Sequence, residues 1–85
     1  MAYAVEFAPS AEREFRKLAR EIQLRLRPHI DALGSDPRPV GAKKLKGRDD
    51  LWRIRAGDYR IVYEVQDRIL VVLVVRVAHR REVYR

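Results

Sequence analysis

The chain has 85 residues, an apolar share of 47%, a formal net charge of +7 and no cysteine. This length allows one domain, residues 1–85, with one small core, and the apolar share argues against disorder throughout. Without cysteine, disulfides and thiolate metal sites are excluded. The sequence shows neither a signal peptide nor a membrane-spanning segment, which predicts a cytoplasmic protein with no membrane partner.

The positive charge is concentrated in the second part of the chain. Residues 1–33 hold six Lys or Arg against five Asp or Glu, whereas residues 34–85 hold thirteen against seven. Such an excess attracts polyanions or an acidic protein partner. Solubility alone is the simpler explanation, and the charge by itself leaves both open.

The first third of the chain predicts a strand followed by two helices. Residues 3–7 alternate apolar and less apolar side chains, as in a half-buried strand that should end at Pro9. Ser10 is placed to cap a helix. Apolar residues at steps of three and four then continue to Leu33, which is long for one helix, so we expect a helical hairpin with a break near Arg20.

A loop and a basic segment separate the helices from the remaining strands. Pro28 predicts a kink or a helix start close to it, because proline removes a backbone hydrogen bond. Gly34 ends the helical region, and residues 34–41, GSDPRPVG, form a connecting loop. The basic segment AKKLKGRDD follows at residues 42–50.

Three strands are predicted at Leu51–Ala56, Tyr59–Gln66 and Ile69–Val77. Their short connections imply an antiparallel meander, and the run ILVVLVV is typical of a central strand buried on both faces. The fold class is therefore α+β, with an N-terminal strand, a two-helix hairpin and a three-stranded antiparallel meander, the helices packing on one face of the sheet.

The first hairpin of this meander carries an unusual set of cations. Arg53 and Arg55 point to one face of their strand, about 7 Å apart, where two like charges near a surface repel by roughly 2 kcal/mol. Arg60 follows just across the turn. Long side chains spread into solvent would explain the pair alone equally well. If the last strand neighbours the hairpin, however, Arg80 and Tyr84 converge with the three arginines, an arrangement suited to phosphate contact and base stacking.

Other chemistries find little support in the sequence. No phosphate-binding glycine loop, HExxH metal motif or EF-hand loop is present. Asp49 and Asp50 are adjacent in a loop and more often make a turn than a carboxylate pair. His29 is interpreted as structural, and with His79 so distant in sequence a metal site or other cofactor is not expected. His79 is the one imidazole near the proposed site.

Five pieces of the chain, in this order and spacing, resemble the RelE/ParE toxin superfamily, and more closely its RelE branch: AYAVEF, FRKL, DPRPVGAKKLKG, LWRIRAGDYRIVYEV and VAHRREVY. The resemblance covers essentially the whole chain. It implies a ribosome-dependent endoribonuclease that cuts mRNA in the ribosomal A site. A cognate antitoxin would hold it inactive, and operator DNA would be bound only through the antitoxin complex.

The resemblance also assigns site residues. Two basic residues flanking an isoleucine, the arginine of GDYR, and the arginine and tyrosine of the last motif correspond to Arg53, Arg55, Arg60, Arg80 and Tyr84. With His79 these form the expected catalytic set. The residues expected to contact mRNA or ribosomal RNA are Lys43, Lys44, Lys46, Arg48 and Arg81.

The implied reaction is attack by a ribose 2′-hydroxyl on its neighbouring phosphate, which requires no metal. Arginine stays protonated, so the arginines would stabilise charge rather than accept protons. Tyr84 would act as a base or stack on the nucleotide, and His79 would either donate a proton or merely border the site. The ParE branch, which poisons DNA gyrase, generally lacks this set. Gyrase inhibition is the alternative function, followed by a weak toxin that mainly binds its antitoxin.

Overall fold

The computed structural model describes residues 2–47 and 50–83 as one five-stranded sheet with three helices. The elements are β1 (Ala4–Phe7), α1 (Pro9–Arg16), α2 (Arg20–Ala32), β2 (Lys43–Lys44), β3 (Leu51–Ala56), β4 (Tyr59–Gln66), β5 (Val71–His79) and α3 (Arg80–Val83). The strand order is β1-β5-β4-β3-β2, and β1 runs parallel to β5 while the other neighbours are antiparallel. The α+β class and the β3-β4-β5 meander are confirmed. In the described ranges, no helix is long and apolar enough to cross a membrane.

The helical hairpin forms as expected, but the cap residue at the start of its first helix differs from the prediction. The break is confirmed, because α1 ends at Arg16 and α2 begins at Arg20. The capping role of Ser10 is wrong: Ala8 occupies the cap position in extended conformation, and Pro9 begins the helix. Proline suits this position because its fixed φ is helical and its missing N–H would have no partner there. Pro28 lies inside α2, which therefore does not start beside it.

One face of the sheet is covered by the two helices. The helices contribute Ala11, Phe15, Leu26 and Ile30 to the core, and Leu33, directly after α2, joins them. Alternate residues of the three long strands meet them, namely Ile54, Ala56, Ile61, Tyr63, Val65, Val72, Val74 and Val77. Because successive strand residues point to opposite faces, the intervening residues lie on the face that α1 and α2 leave uncovered.

Strand β5 departs from the expectation at both ends. It begins at Val71 rather than Ile69, because Ile69 and Leu70 lie in an exposed turn where Leu70 has φ of 56°. It continues past Val77 to His79. Neighbours on both sides make it an interior strand, but its alternate residues from 71 to 75 are only half-buried, so the expected burial on both faces is wrong.

A β-bulge interrupts β5 near its middle. Val62 pairs with Arg76 while Tyr63 pairs with Val74, so Val75 is an extra residue without a counterpart on β4. The bulge shifts the alternation by one residue, and Val77 rather than Arg76 enters the core. Glu14 of α1 holds this point: its carboxylate accepts the Val77 N–H at 2.8 Å and pairs with the Arg76 guanidinium at 3.2 Å.

The loop that leads from α2 to β2 is tied to the sheet by polar contacts. The Tyr63 hydroxyl donates to the Pro37 carbonyl at 2.7 Å, and burial raises the pKa of Tyr63 to about 12. Arg38 pairs with Asp67 at 2.8 Å and lies 5.5 Å from the Trp52 ring centroid. These contacts fix where the chain enters β2. The same Arg38 contact holds the pKa of the Asp67 carboxyl below its usual range.

Tyr63→Phe is expected to lower the free energy of unfolding by about 1 kcal/mol, because it removes a buried hydrogen bond and leaves the Pro37 carbonyl unsatisfied. Urea unfolding of both proteins measures the difference. Since folding raises the pKa of Tyr63, the stabilising contribution is full below about pH 10 and is lost as the pH rises toward 12. The difference between the two proteins should therefore shrink over that range; a constant difference would contradict this assignment.

Candidate anion-binding site

Four cationic side chains are placed on the uncovered face of the sheet by strand pairing. Lys43 pairs with Arg53, and Arg55 pairs with Arg60 directly across the β3–β4 hairpin. Cross-strand partners share a face, and Arg53 and Arg55 are two residues apart on one strand. Because the residues between them pack in the core, all four side chains project away from α1 and α2.

These residues surround a cavity of about 270 Å³. Among the described residues, its lining includes Gly41, Lys43, Arg53, Ile54, Arg55 and Arg60. Arg60 is the deepest member, only 4% exposed, whereas Arg55 is exposed and Arg53 is half-buried. Guanidinium groups present several N–H donors in one plane, and a partly buried anion gains more from them than a solvated one. The cavity therefore has the chemistry to hold a phosphate-sized anion.

The arrangement carries an electrostatic cost. Arg55 and Arg60 are direct partners in an antiparallel pair, and like charges in this position destabilise a sheet. A bound anion would reduce this repulsion, since it places negative charge between the two guanidinium groups.

Arg80 is held at the same end of the sheet. Its backbone N–H donates to the Asp58 carbonyl at 2.7 Å, and its Nε lies 3.9 Å from the Asp58 carboxylate. Asp58 is in the turn between β3 and β4, next to the pair of Arg55 and Arg60. The structure thus brings the backbone of Arg80 to the end of the hairpin that carries the arginines. Arg81 follows in α3 with an exposed side chain.

His79 lies on the other face of the sheet. It pairs with Tyr59, whose side chain packs against the core, and the two rings meet edge to face with centroids 5.5 Å apart. It also lines a separate cavity of about 250 Å³ beside Ile22 and Leu26 of α2. The structure does not bring His79 together with the arginines. A proton donated from His79 to a group bound in their cavity is therefore not supported.

The bulge in β5 explains this outcome. Strict alternation from Val74 would have put Arg76 in the core and His79 on the open face. The extra residue Val75 reverses that order, so His79 shares the helix side with Val77. One signal in the sequence could have revealed the bulge, since a charged Arg76 falls at a position that uninterrupted alternation assigns to the core.

The basic segment is divided by a strand that the sequence analysis missed. Lys43 and Lys44 form the two-residue β2, in which Lys43 lines the arginine cavity and Lys44 pairs with Trp52. Lys46 is exposed in the following turn. Arg48 and Tyr84 lie outside the described residues. Within residues 2–47 and 50–83, no three His, Asp or Glu side chains are grouped as metal ligands would be.

Comparisons with known proteins extend over nearly the whole chain. Residues 5–84 match the family model of the ParE toxin of the type II toxin-antitoxin system parDE. The mRNA interferase toxin RelE of Escherichia coli K12 is 38% identical over 88 residues, which cover 99% of this chain and 92% of that protein.

Solved structures of RelE proteins also align with this chain over nearly its whole length. The isolated E. coli RelE toxin aligns with a TM-score of 0.81 at 34% identity, covering 98% of this chain and 92% of that one. The RelE of the Pyrococcus horikoshii OT3 RelE-RelB complex also gives 0.81, at 28% identity over 94% and 97% of the two chains. The same fold is thus shared by a free toxin and by one in complex with an antitoxin.

Arg55→Gln is expected to raise the free energy of unfolding by about 0.5 kcal/mol at low salt, because it removes the repulsion between direct cross-strand partners. Thermal unfolding at low ionic strength and at 1 M salt tests this, and the gain should shrink at high salt because charges are then screened within about 3 Å. Arg68→Gln, in the exposed β4–β5 turn, removes the same charge and should change little. Equal gains from both variants would mean that only net charge matters.

Proposed function

Because the chain belongs to the RelE/ParE toxin superfamily, we propose that it is the toxin of a type II toxin-antitoxin system and an endoribonuclease that cleaves mRNA in the ribosomal A site. A cognate antitoxin holds it inactive, and it reaches operator DNA only within the antitoxin complex. Since its substrate is the message on a translating ribosome, it works in the cytoplasm. It stops translation by cutting the message.

The observation that carries this proposal is the cluster of Arg53, Arg55 and Arg60 around one cavity on the uncovered face. An RNA strand can approach this face without displacing α1 or α2. Charge-assisted hydrogen bonds from guanidinium groups to phosphate are among the strongest available to a protein. The buried Arg60 at the base and the more exposed Arg53 and Arg55 at the rim would contact different oxygens of one phosphate.

The reaction follows from the substrate and these donors. The 2′-oxygen forms a bond to its own 3′-phosphorus, and the bond from phosphorus to the 5′-oxygen of the next nucleotide breaks. A 2′,3′-cyclic phosphate and a 5′-hydroxyl result. The transition state carries extra negative charge on the phosphoryl oxygens, where Arg55, Arg60 and Arg80 would act, with Arg53 assisting. A well-placed donor contributes about 3 kcal/mol to such a transition state.

Proton transfer needs other groups. Arginine keeps its proton at any relevant pH, so the cluster supplies charge and orientation but no base. Tyr84 is the sequence-based candidate, as a base for the 2′-hydroxyl or as a ring that stacks on the nucleotide. His79, on the opposite face, is removed from the group that contacts the substrate.

The remaining basic residues fit a role in docking to the ribosome. Lys43 belongs to the cavity wall, whereas Lys44 and Lys46 lie outside it in and just after β2, and Arg81 lies outside it in α3. With Arg48 they would contact phosphates of ribosomal RNA. Such contacts release counterions, so binding to ribosomes should weaken steeply with salt.

Inhibition of DNA gyrase, the activity of the ParE branch, is the second candidate because the matching family model is that of ParE. It does not explain the arginine cavity. A phosphate cradle with three guanidinium groups serves a reaction at phosphorus, which gyrase poisoning by a bound protein does not need.

Arg55→Ala and Arg80→Ala are each expected to lower kcat for cleavage of ribosome-bound mRNA by about 100- to 1000-fold, because each removes a donor to the developing charge. Primer extension on programmed ribosomes measures the rate, and growth arrest on expression should weaken in parallel. We expect Tyr84→Phe to behave similarly.

Arg68→Ala is the matched control, since it removes an exposed arginine from the β4–β5 turn, at the far end of β4 from Arg60. It should cleave like the wild type. All variants should still bind the antitoxin, which separates lost catalysis from lost folding. Full toxicity of both Arg55→Ala and Arg80→Ala would refute the assignment of the cavity.

A further inference from the structure

The end of β5 is held by contacts of three consecutive residues, His79, Arg80 and Arg81. His79 pairs with Tyr59, and its ring meets the Tyr59 ring edge to face. The N–H of Arg80 donates to the Asp58 carbonyl at 2.7 Å. The N–H of Arg81 donates to Nδ1 of His79 at 3.3 Å. The first turn of α3 is therefore closed by a side chain that itself rests on the helix side of the sheet.

The contact with Arg81 requires the neutral imidazole. An Nδ1 that accepts a hydrogen bond carries no proton, so the ring proton is on Nε2. Protonation would place a second donor against the Arg81 N–H and break the contact. Histidine is the side chain whose charge normally changes between about pH 5 and 8.

Charged and titratable groups from every neighbouring element face this position. Asp58 from the hairpin turn, Tyr59 from β4 and Arg25 from α2 line the same cavity of about 250 Å³ as His79. Arg80 and Arg81 follow it along the chain in α3.

We propose that neutral His79 is a positioning residue that closes the first turn of α3 and so sets the position of Arg80 beside Asp58, at the hairpin turn next to Arg55 and Arg60. The effect on cleavage rests on the proposed function, whereas the contact itself does not. Since the ring lies on the face opposite the bound RNA, it acts through the backbone of Arg80 and Arg81 and touches no reacting atom. Cleavage would then weaken on acidification because the turn opens.

Two variants separate positioning from chemistry. His79→Phe keeps a ring against Tyr59 but has no acceptor, so at pH 8 kcat on programmed ribosomes should fall by about 10- to 100-fold, the cost of misplacing a charge-stabilising group, while KM changes by less than about 3-fold. His79→Asn offers an amide oxygen as acceptor and cannot titrate. It should keep kcat within about 3-fold of the wild type at pH 8 and lose the additional decline that the wild type shows at pH 6.

His29→Asn is the matched control, since His29 is exposed on α2 and should keep the wild-type pH profile. A second readout needs no activity: in ¹⁵N-labelled protein the Arg81 amide resonance should shift between pH 8 and pH 6 in the wild type and stay in place in His79→Asn.

Three results would overturn the proposal. Wild-type kcat in His79→Phe would show that the acceptor is unnecessary. Equal loss in His79→Asn and His79→Phe would show that the imidazole itself takes part in the chemistry. An Arg81 amide resonance that does not shift between pH 8 and pH 6 in the wild type would show that the hydrogen bond from the Arg81 N–H to His79 is absent. If the amide titrates as expected while ribosome-bound mRNA stays intact, the contact stands and the proposed function fails.

Discussion

The register of the β3–β4 hairpin is the constraint on which the candidate site depends. Ile54 and Ile61 are cross-strand partners buried beneath the helices, and this burial fixes the face of every other residue on the two strands. A slip of one residue would send Arg53 or Arg60 into the apolar core, at a cost far above what a small domain can bear. The same alternation that builds the core therefore places the arginines on the uncovered face. Their mutual repulsion is not relieved by a change of register, because any such change would bury an arginine.

The rest of the fold serves to hold that hairpin from both sides. On one side, the loop between α2 and β2 is held to the sheet by the Arg38 contact with Trp52 and the Tyr63 hydrogen bond to Pro37. This loop leads to Gly41 and Lys43, which line the cavity next to the hairpin. On the other, β5 closes the sheet, and its bulge is held to α1 by Glu14. Long-range contacts of this kind fix a cavity more firmly than the turns around it could alone. The apolar core between the helices and the sheet thus stabilises the fold, while the opposite face of the sheet holds the arginine cluster.

The parts of the fold and of the candidate site that depend on neighbouring residues in the sequence could be predicted. The alternation in LWRIRAGDYRIVYE was sufficient to place Arg53, Arg55 and Arg60 together, since a short turn allows one pairing. The two-residue β2 could not be read because alternation needs more residues than two. The start of β5 was misplaced because Ile69 and Leu70 extend an apolar run yet lie in a turn. The face on which His79 lies could not be predicted, because the strand was expected to end at Val77 and one bulge reverses the alternation. The catalytic roles came from the resemblance and stay predictions, whereas the structure shows that Arg53, Arg55 and Arg60 line one cavity.

Ribosome-dependent cleavage through the 2′-hydroxyl is tested most directly with purified protein and matched ribosome complexes. One message is all RNA, another carries a single 2′-deoxynucleotide on the 5′ side of the mapped cut, and free mRNA and DNA gyrase with plasmid are tested in parallel. We expect cleavage of the all-RNA message on ribosomes only, with a 2′,3′-cyclic phosphate end, and no cut at the deoxy position. Cleavage at the deoxy position would contradict the mechanism, and trapped gyrase cleavage complexes with intact ribosome-bound mRNA would contradict the function.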